Sequence, residues 1–531
     1  MKSRNIIPEI IKAYEYDNIG KTEEAKGLCL EILKEDPKNF DINKLLGNIE
    51  AKNKKYNNAL ELFHIALTRK ANDAYLLNSI GNVYQEIDQP SVSVNYYENA
   101  IKIKKDFYQA YINKGKALKK ILKINEALES FNMAISIQPK DIEAYISRGN
   151  LYFDKQHLNE AIQDYAEVLK LNSNYVPAYF NSAIALRALR KTKEAINYFD
   201  KAIDINSDYA EAYYEKSLTL LLDGQLESGF KLYEWRRITK NISIQAGIRN
   251  FTQPLWLGNE SIKNKTILLY AEQGLGDAIQ FSRYCKLVND HGGIVILEVP
   301  KSLIKLFEGL AGVNQLVEKE NPTSHFDYQA PLMSLPFSFK TKIETIPNQI
   351  PYLKSKKEVC DQWAKYIGDE GFKVAIAWQG STKGNVDIGR SFPVSLFEGI
   401  AKIEGIRLIS LQKNEGIEQL KYLPEGMKIE ILPESFDSGD DAFLDSAAIM
   451  KCVDLVITSD TALTHLAGAL GIKTWMPLKY VPDWRWMLHR NDSPWYPNHR
   501  FFRQEIRDDW LGVFAKMEDE LKTLNSVNKI K

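Results

Sequence analysis

The sequence has few of the residues that build disulfides, zinc sites and catalytic imidazoles: four cysteines and seven histidines in 531 residues. The cysteines are far apart and form no CxxC pair, which argues against a disulfide framework and a zinc site. No run of about 18 apolar residues is present, so no transmembrane helix is expected, and the charged start lacks the apolar core of a signal peptide. Basic and acidic residues balance at 69 each, which argues against a protein that grips nucleic-acid phosphates. We therefore expect a multidomain, cytoplasmic protein with no nucleic-acid partner.

Small and aromatic residues recur every 34 positions through the first half of the chain. This period is typical of a two-helix repeat, which cannot bury its apolar face alone and therefore stacks into a solenoid. The small residues allow paired helices to approach closely, and we expect the aromatic residue to fill the gap to the neighbouring repeat. The glycine series is Gly47, Gly81, Gly115 and Gly149, and the aromatic series is Phe63, Tyr97, Phe131, Tyr165, Phe199 and Tyr233.

These series resemble the tetratricopeptide repeat over nearly all of the first 240 residues. The last unit departs from the pattern, with Ser217 in place of glycine and Gly229 in place of alanine, as expected of a cap or of a junction with another domain. The pattern predicts a binding scaffold over 1–243, in seven units: 6–39, 40–73, 74–107, 108–141, 142–175, 176–209 and 210–243.

The second half has a different texture, in which apolar runs bounded by glycine alternate with helical stretches. This alternation is typical of parallel sheets covered by helices. We expect a linker over 244–261 and two doubly wound domains over 262–365 and 366–531. The predicted strands are 266–270, 294–299, 374–378, 407–412, 454–459 and 473–478.

The loop 271–277, between a strand and a helix, is the first candidate site. Gly274 and Gly276 permit a positive φ and the close approach of a ligand to the backbone, and the helix start offers free N–H groups. Ile279 at the third glycine position excludes the dinucleotide fingerprint. Asp277 is a candidate general base; the alternative is that it only caps the helix while the glycines serve the turn.

The segment 458–471 is the second candidate. Ser459, Asp460 and Thr461 end an apolar strand, and a helix of small residues containing His465 follows. Hydroxyls and N–H groups at such a helix start can hold a diphosphate without a metal. The alternative is that Asp460 caps the helix and His465 is a packed helical residue.

Aromatic and basic residues near the end of the chain form the third candidate. Trp484 and Trp486 are candidates for stacking on a base or a sugar; the alternative is core packing between domains. Arg390, Lys413 and Arg485 are candidates to meet phosphate charge, or else are surface charges. No convincing Asp-x-Asp loop is present, so a metal-bridged diphosphate is not indicated.

In this order the segments resemble the GT-B glycosyltransferases of the lipopolysaccharide heptosyltransferase type, preceded by tetratricopeptide repeats. The resemblance runs from about residue 230 to the carboxyl terminus. It rests on LYEWR (232–236), AEQGLGDAIQFSRY (271–284), LMSLP (332–336), SLQK (410–413), SDTALTHLAGALG (459–471), PDWRW and DSPWYP.

The resemblance implies two Rossmann-like domains facing a cleft, with Asp277 as the base that activates an acceptor hydroxyl. Two positions depart from the family: Ala462 stands in place of a glycine, and Gly384 falls where relatives often carry a histidine. The resemblance also implies a donor diphosphate site. The candidate donor-binding residues are Gly274, Gly276, Arg390, Gln412, Lys413, Ser459, Asp460, Thr461, Ala462 and His465.

Together these patterns predict a metal-independent glycosyltransferase whose donor is a nucleotide-sugar and which needs no further cofactor. Resemblance to the O-linked N-acetylglucosamine transferases implies that the repeat groove presents a protein or peptide acceptor. The alternative function is a scaffold whose repeats bind partner proteins and whose GT-B module has lost turnover.

Overall fold

The fold is that of a computed structural model, which describes residues 6–239, 242–244, 247–319, 325–382, 389–439 and 443–528. Contacts divide the chain into two compact units, Met1–Leu186 and Arg187–Lys531. The boundary expected from the sequence, after residue 243, therefore does not coincide with the division between the compact units. Position 384 lies outside the described residues.

The first half of the chain consists of successive helices, two for each 34-residue period, as the repeat pattern predicts. Helix ends fall at the expected unit boundaries, and Asp73 and Asp141 cap two helices by accepting the N–H groups of Leu76 and Ala144. The helices are α1 (Ile7–Asn18), α2 (Thr22–Glu35), α3 (Phe40–Lys52), α4 (Tyr56–Arg69), α5 (Ala74–Glu86), α6 (Pro90–Ile103), α7 (Tyr108–Lys120), α8 (Ile124–Ile137), α9 (Ile142–Asp154), α10 (Leu158–Leu171), α11 (Val176–Ala188), α12 (Thr192–Ile205), α13 (Ala210–Leu222) and α14 (Leu226–Tyr233).

The glycine and aromatic series meet inside each repeat. A Cβ atom on Gly81 would lie 2.6 Å from Cε1 of Tyr97, and one on Gly115 would lie 2.6 Å from Cε1 of Phe131. Both rings are fully buried and share a core with residues of the next repeat, among them Leu118 and Leu151. Each ring therefore packs on the glycine of its own repeat as well as filling the gap to the neighbour that the sequence predicted.

Replacing Gly115 by alanine is expected to destabilise the first unit, whereas Gly27→Ala is expected to stabilise it. Both glycines lie inside helices, where alanine is favoured by about 1 kcal/mol. Nothing lies within 4 Å of a Cβ at Gly27, whereas the Phe131 ring occupies that space at Gly115. Overpacking of this kind costs about 1–3 kcal/mol. Urea unfolding followed by circular dichroism measures both variants; equal shifts in the two would contradict the close packing.

The second unit contains a four-stranded parallel sheet in the order β3-β2-β1-β4. Strands β1 and β2 are buried along nearly their whole length and read as continuous apolar runs, as expected of a parallel sheet covered on both faces. Its elements are β1 (Thr266–Tyr270), α15 (Leu275–Phe281), α16 (Tyr284–Asp290), β2 (Ile294–Val299), α17 (Lys301–Phe307), β3 (Gln315–Glu318), β4 (Tyr328–Pro331), α18 (Leu335–Ser338) and α19 (Lys357–Ile367).

A five-stranded parallel sheet follows, in the order β6-β5-β7-β8-β9. One of its faces packs on the carboxyl-terminal helix α23, through Phe514 and Met517. The other belongs to a core that it shares with the first sheet and with α13 and α14. Its elements are β5 (Phe372–Ala377), α20 (Glu398–Ala401), β6 (Ile406–Ser410), α21 (Leu444–Lys451), β7 (Leu455–Thr458), α22 (Ala462–Ala469), β8 (Thr474–Leu478), β9 (His499–Arg503) and α23 (Trp510–Asn528).

The core shared with α13 and α14 explains why the second unit begins before the sheets. Phe230 of α14 packs edge-on against Trp484, with ring centroids 5.5 Å apart, and Leu222 accepts a hydrogen bond from the N–H of Leu488.

Across the described part of the chain, no helix is both long and apolar enough to cross a bilayer.

Candidate functional site

In each parallel sheet, the strand order reverses at one point, and the crevice at the carboxyl ends of the strands there is the usual ligand site of such sheets. In the first sheet this point lies between β1 and β4, and in the second it lies between β5 and β7. The loop 271–277 follows β1, and Ser459 follows β7 directly. Both loops singled out in the sequence therefore lie at reversal points.

Helices α15 and α22, which follow these two loops, pack directly against each other. A Cβ on Gly276 would lie 2.7 Å from Cδ2 of His465 and 3.4 Å from Cα of Ala462. The helices carrying Asp277 and His465 are thus in direct contact.

The expected use of the two glycines in this loop is wrong in one respect. Neither has a positive φ: Gly274 is extended at φ −92°, and the left-handed position is taken by Gln273 at φ 61°. Gly276 is needed instead because His465 occupies the space that a side chain would fill. The close approach that this glycine permits is therefore to a side chain of α22.

Asp277 caps its own helix and also pairs with a cation. Its Oδ2 accepts the N–H of Gly274 at 2.8 Å, and its Oδ1 accepts a hydrogen bond from Nη2 of Arg485. Burial raises the pKa of the Asp277 carboxyl, and the positive charge of Arg485 opposes that rise. The capping role considered from the sequence is thus present, together with an ion pair that links the start of α15 to the loop after β8.

Arg485 is the centre of this polar cluster and is nearly buried. Beyond Asp277, its Nη1 donates to Oδ1 of Asp483 at 2.8 Å, and its Nε donates to Oε1 of Gln280 at 2.9 Å. Three of its nitrogens are thereby used by neighbouring side chains. The guanidinium is held in one orientation instead of being a free surface charge, the alternative raised by the sequence.

His465 is buried, and its ring lies between the two halves of the site. Its Nδ1 hydrogen-bonds the Tyr496 hydroxyl at 3.0 Å, and the ring stacks on Trp486 with centroids 5.4 Å apart. Burial, reinforced by the charge of Arg485, holds its pKa well below 6.5. The imidazole is therefore neutral and packed.

Ser459, Asp460 and Thr461 form the polar end of β7. Within the described residues, the buried Ser459 Oγ and Thr461 Oγ1 have no hydrogen-bond partner, although buried polar atoms are normally satisfied. Burial, with the nearby Asp483, raises the pKa of Asp460 to about 6, against the opposing charges of Arg485 and Arg390. Two unsatisfied hydroxyls beside a carboxyl of raised pKa are the features expected where a polar ligand binds.

The remaining charged and amide candidates mostly hold loops in place. Gln412 accepts the N–H groups of Trp378 and Gln379 and donates to the carbonyls of Gln379 and Glu415, which ties together the loops after β5 and β6. Lys413 donates to the carbonyls of Phe436 and Asp437. Arg390 donates to the carbonyl of Ser381 at 3.4 Å, which places it at the carboxyl end of β5.

Trp484 and Trp486 are 6% and 0% exposed. Trp484 packs against Phe230 and Phe281, and Trp486 packs against His465 and Phe501. With both rings covered on the inside of the unit, the placement favours the packing interpretation over stacking on a base or a sugar.

A buried ion pair behind the first loop was not identified from the sequence as a site feature. Arg236, with 0% exposure, donates through Nη2 to Oε1 of Glu272 at 2.6 Å and to Oγ of Ser334 at 2.8 Å. Glu234 accepts from Nη1 of the same guanidinium at 2.7 Å. LYEWR supplies Glu234 and Arg236, LMSLP supplies Ser334, and Glu272 lies in the stretch 271–284. The sequence singles out these stretches but assigns no role to these four residues.

Comparison with known proteins identifies the repeats. The family model described as tetratricopeptide repeat matches residues 108–141 and 176–209, and a second model, described as TPR repeat, matches residues 149–189. Protein FlbA of Caulobacter vibrioides is 27% identical over an alignment of 331 positions that covers 57% of this chain. The chain spans about half the length of that curated relative, 53% of it.

Two solved structures resemble part of this chain. YrrB, described as a TPR protein with an unusual peptide-binding site, is 22% identical, with 36% of this chain and 98% of that one covered and a TM-score of 0.31. PilW, described as a widely conserved type IV pilus biogenesis factor, is 20% identical, with 40% and 97% covered and a TM-score of 0.37. By the two family models the chain carries tetratricopeptide repeats, and a region of two parallel α/β sheets follows them.

Proposed function

We propose that this protein transfers a sugar from a nucleotide-diphosphate donor to an acceptor hydroxyl, and that its repeats bind the protein that carries the acceptor. The observation that carries the proposal is the pair of unsatisfied hydroxyls of Ser459 and Thr461 at the reversal point of a parallel sheet. A diphosphate supplies acceptors for both hydroxyls. Arg390, at the end of the neighbouring strand β5, adds a positive charge.

The proposed reaction uses the two halves of the crevice for different tasks. The acceptor oxygen forms a bond to the anomeric carbon while the bond from that carbon to the diphosphate oxygen breaks. The acceptor proton passes to Asp277, and the electron pair leaves with the diphosphate. Burial supports the role of base, since the raised pKa of Asp277 makes the carboxylate more basic.

His465 contributes packing and a neutral dipole in this proposal, because its low pKa keeps the ring uncharged. Gly276 against His465 holds the base at a fixed distance from the diphosphate end of β7. Fixed placement of donor and base is itself a large part of the rate enhancement expected of such an enzyme.

The proposal is tested by incubating the protein with a panel of nucleotide sugars and acceptor proteins from a cell extract, and measuring nucleoside diphosphate release. Asp277→Asn is expected to reduce release by about 10²–10⁴-fold, because the amide still caps α15 but accepts no proton. A chelator is expected to leave release unchanged.

Asp483→Asn is the matched control, since it also removes a carboxylate that contacts Arg485 but leaves the base in place. We expect it to retain most activity. Equal release by Asp277→Asn and the parent would refute the assignment of the base, and no release with any donor would refute the transferase.

A non-catalytic scaffold is the second candidate, favoured by the internal bonding of Gln412, Lys413 and Arg485. Repeats of this kind offer extended surfaces for protein partners. Calorimetry with nucleoside diphosphates separates the two functions: the transferase is expected to bind one of them, with affinity lost in Ser459→Ala, whereas a scaffold need not bind any.

A further inference from the structure

A cavity of about 820 Å³ lies beside the edge strand β9, away from the crevice at β7. One wall is formed by β9 and the residues that follow it, another by the middle of α23, and Arg190, from the turn before α12, completes the lining. All of these residues belong to the second compact unit. Nothing in the proposed transfer reaction uses them.

Within the described residues, two arginines at this cavity donate hydrogen bonds to backbone carbonyls and to no side chain. Arg190 donates through Nε to the carbonyl of Tyr480 at 2.6 Å and through Nη2 to that of Gln504 at 2.8 Å. Arg503 donates through Nε to the carbonyl of Arg490 at 2.8 Å and through Nη2 to that of Trp486 at 2.5 Å. Carbonyl groups thus hold both guanidinium groups in place, and carbonyls do not neutralise the positive charge as a carboxylate would.

The positive charge here is not balanced by the acidic residues nearby. Glu520 pairs with Arg500, and Glu505 pairs with Lys516; Asp519 is exposed to solvent. Among the residues that the structure describes, no carboxylate lies within ion-pair distance of Arg190 or Arg503. Burial, together with the charges of Arg190 and Arg490, lowers the pKa of Arg503 to about 10.

Two buried nitrogens at the same place have no partner. Nη1 of Arg503 and Nε2 of Gln504 are both inaccessible to solvent and make no hydrogen bond in the described part of the chain. Gln504 is 1% exposed, and its Oε1 is already used by the N–H groups of Tyr480 and Asp508. Donors without an acceptor, next to guanidinium groups that no carboxylate neutralises, are suited to bind an anion with several acceptor oxygens.

We infer that the cavity beside β9 is a second binding site, for the phosphate group of a phosphorylated small molecule, with Arg190 and Arg503 as its principal ligands. A tetrahedral phosphate accepts bidentate bonds from guanidinium forks, which lysine does not match. The cavity is larger than one phosphate group, which leaves room for an organic substituent.

Calorimetric titration of the full chain with inorganic phosphate and with phenyl phosphate tests this site. Both are expected to bind, and phenyl phosphate more tightly. Arg190→Met keeps the packing over the Tyr480 ring but removes the charge, and is expected to weaken binding by about 10- to 100-fold. Arg500→Met, in the same lining but paired with Glu520, is expected to change affinity by less than about threefold. Arg390→Met, at the end of β5, is expected to leave this affinity unchanged.

The parent protein gives a second test that does not depend on the folding of a variant. Phenylglyoxal modification of Arg190, followed by peptide mass analysis, is expected to slow in the presence of phenyl phosphate. The site is overturned if the two phosphates do not bind, or if Arg190→Met binds as tightly as the parent. If only Arg390→Met loses binding, the phosphate binds in the crevice at β7, and the proposed site beside β9 is overturned as well. This conclusion does not depend on the outcome of the transfer assay.

Discussion

Arg236→Ala is expected to lower the stability of the second unit by about 3–5 kcal/mol, because it leaves a buried carboxylate without its partner. The side chains of Arg236 and Glu272 are both 0% exposed, and their charged atoms lie 2.6 Å apart. Glu272 is the second residue after β1, in the loop that carries Asp277. The measurement is urea or thermal unfolding of the full chain, where we expect the transition of this unit to move and that of the first unit to stay.

The double variant Arg236→Met with Glu272→Gln controls for the charge. It removes both buried ions at once, and exchanging a buried pair for uncharged side chains of similar volume is often nearly neutral. We expect it to recover most of the stability lost in Arg236→Ala. Lys286→Ala, which removes an exposed pair with Asp290, is expected to have little effect. If the double variant is as unstable as the single one, the cost comes from losing the ion pair and its hydrogen bonds and not from an unpaired carboxylate.

Local periodicity was enough to predict the repeats and the central strands. The predicted strands over 266–270 and 294–299 coincide with β1 and β2, because buried parallel strands are continuous apolar runs bounded by glycine. The short strands β3, β4 and β9 were missed. β4 ends on Pro331 in a proline-rich stretch, and β9 (HRFFR) is an edge strand with three basic residues, so neither has a buried strand's composition.

The same limit applies to the site. Strand ends and glycine loops are local signals, and they led to the two loops that meet where α15 packs on α22. The partners of the long side chains are not local: Arg485 and Asp277 are 208 positions apart, and Arg190 and Gln504 are 314 apart. A single sequence gives the type of such a side chain, but only the fold decides whether it meets a ligand or a neighbouring carboxylate.

Arg485→Ala is expected to destabilise the second unit by about 3–5 kcal/mol at neutral pH, and this deficit is expected to shrink as the pH falls. The variant leaves Asp277, Asp460 and Asp483 together without the buried cation that contacts two of them. The pKa of Asp277 and that of Asp460 are already raised by burial, and Arg485 opposes both rises. Removing the arginine therefore raises both pKa values further in the folded state only.

The sign of the pH dependence follows from that shift. A carboxyl whose pKa is higher in the folded than in the unfolded state binds its proton more tightly when folded, so acid favours folding and rising pH opposes it. In the parent, the pKa of Asp460 is raised to about 6. In the variant we expect the free energy of unfolding to fall from about pH 4 upward. We expect that fall to level off at a higher pH than in the parent. Unfolding of parent and variant between pH 4 and about 8 measures the difference.

Arg490→Ala, which loses a pair with the exposed Asp492, is the matched control and is expected to show a small deficit that does not change over this range. A constant deficit for Arg485→Ala would mean that the arginine stabilises the crevice by packing on Trp484 and not by neutralising its carboxylates.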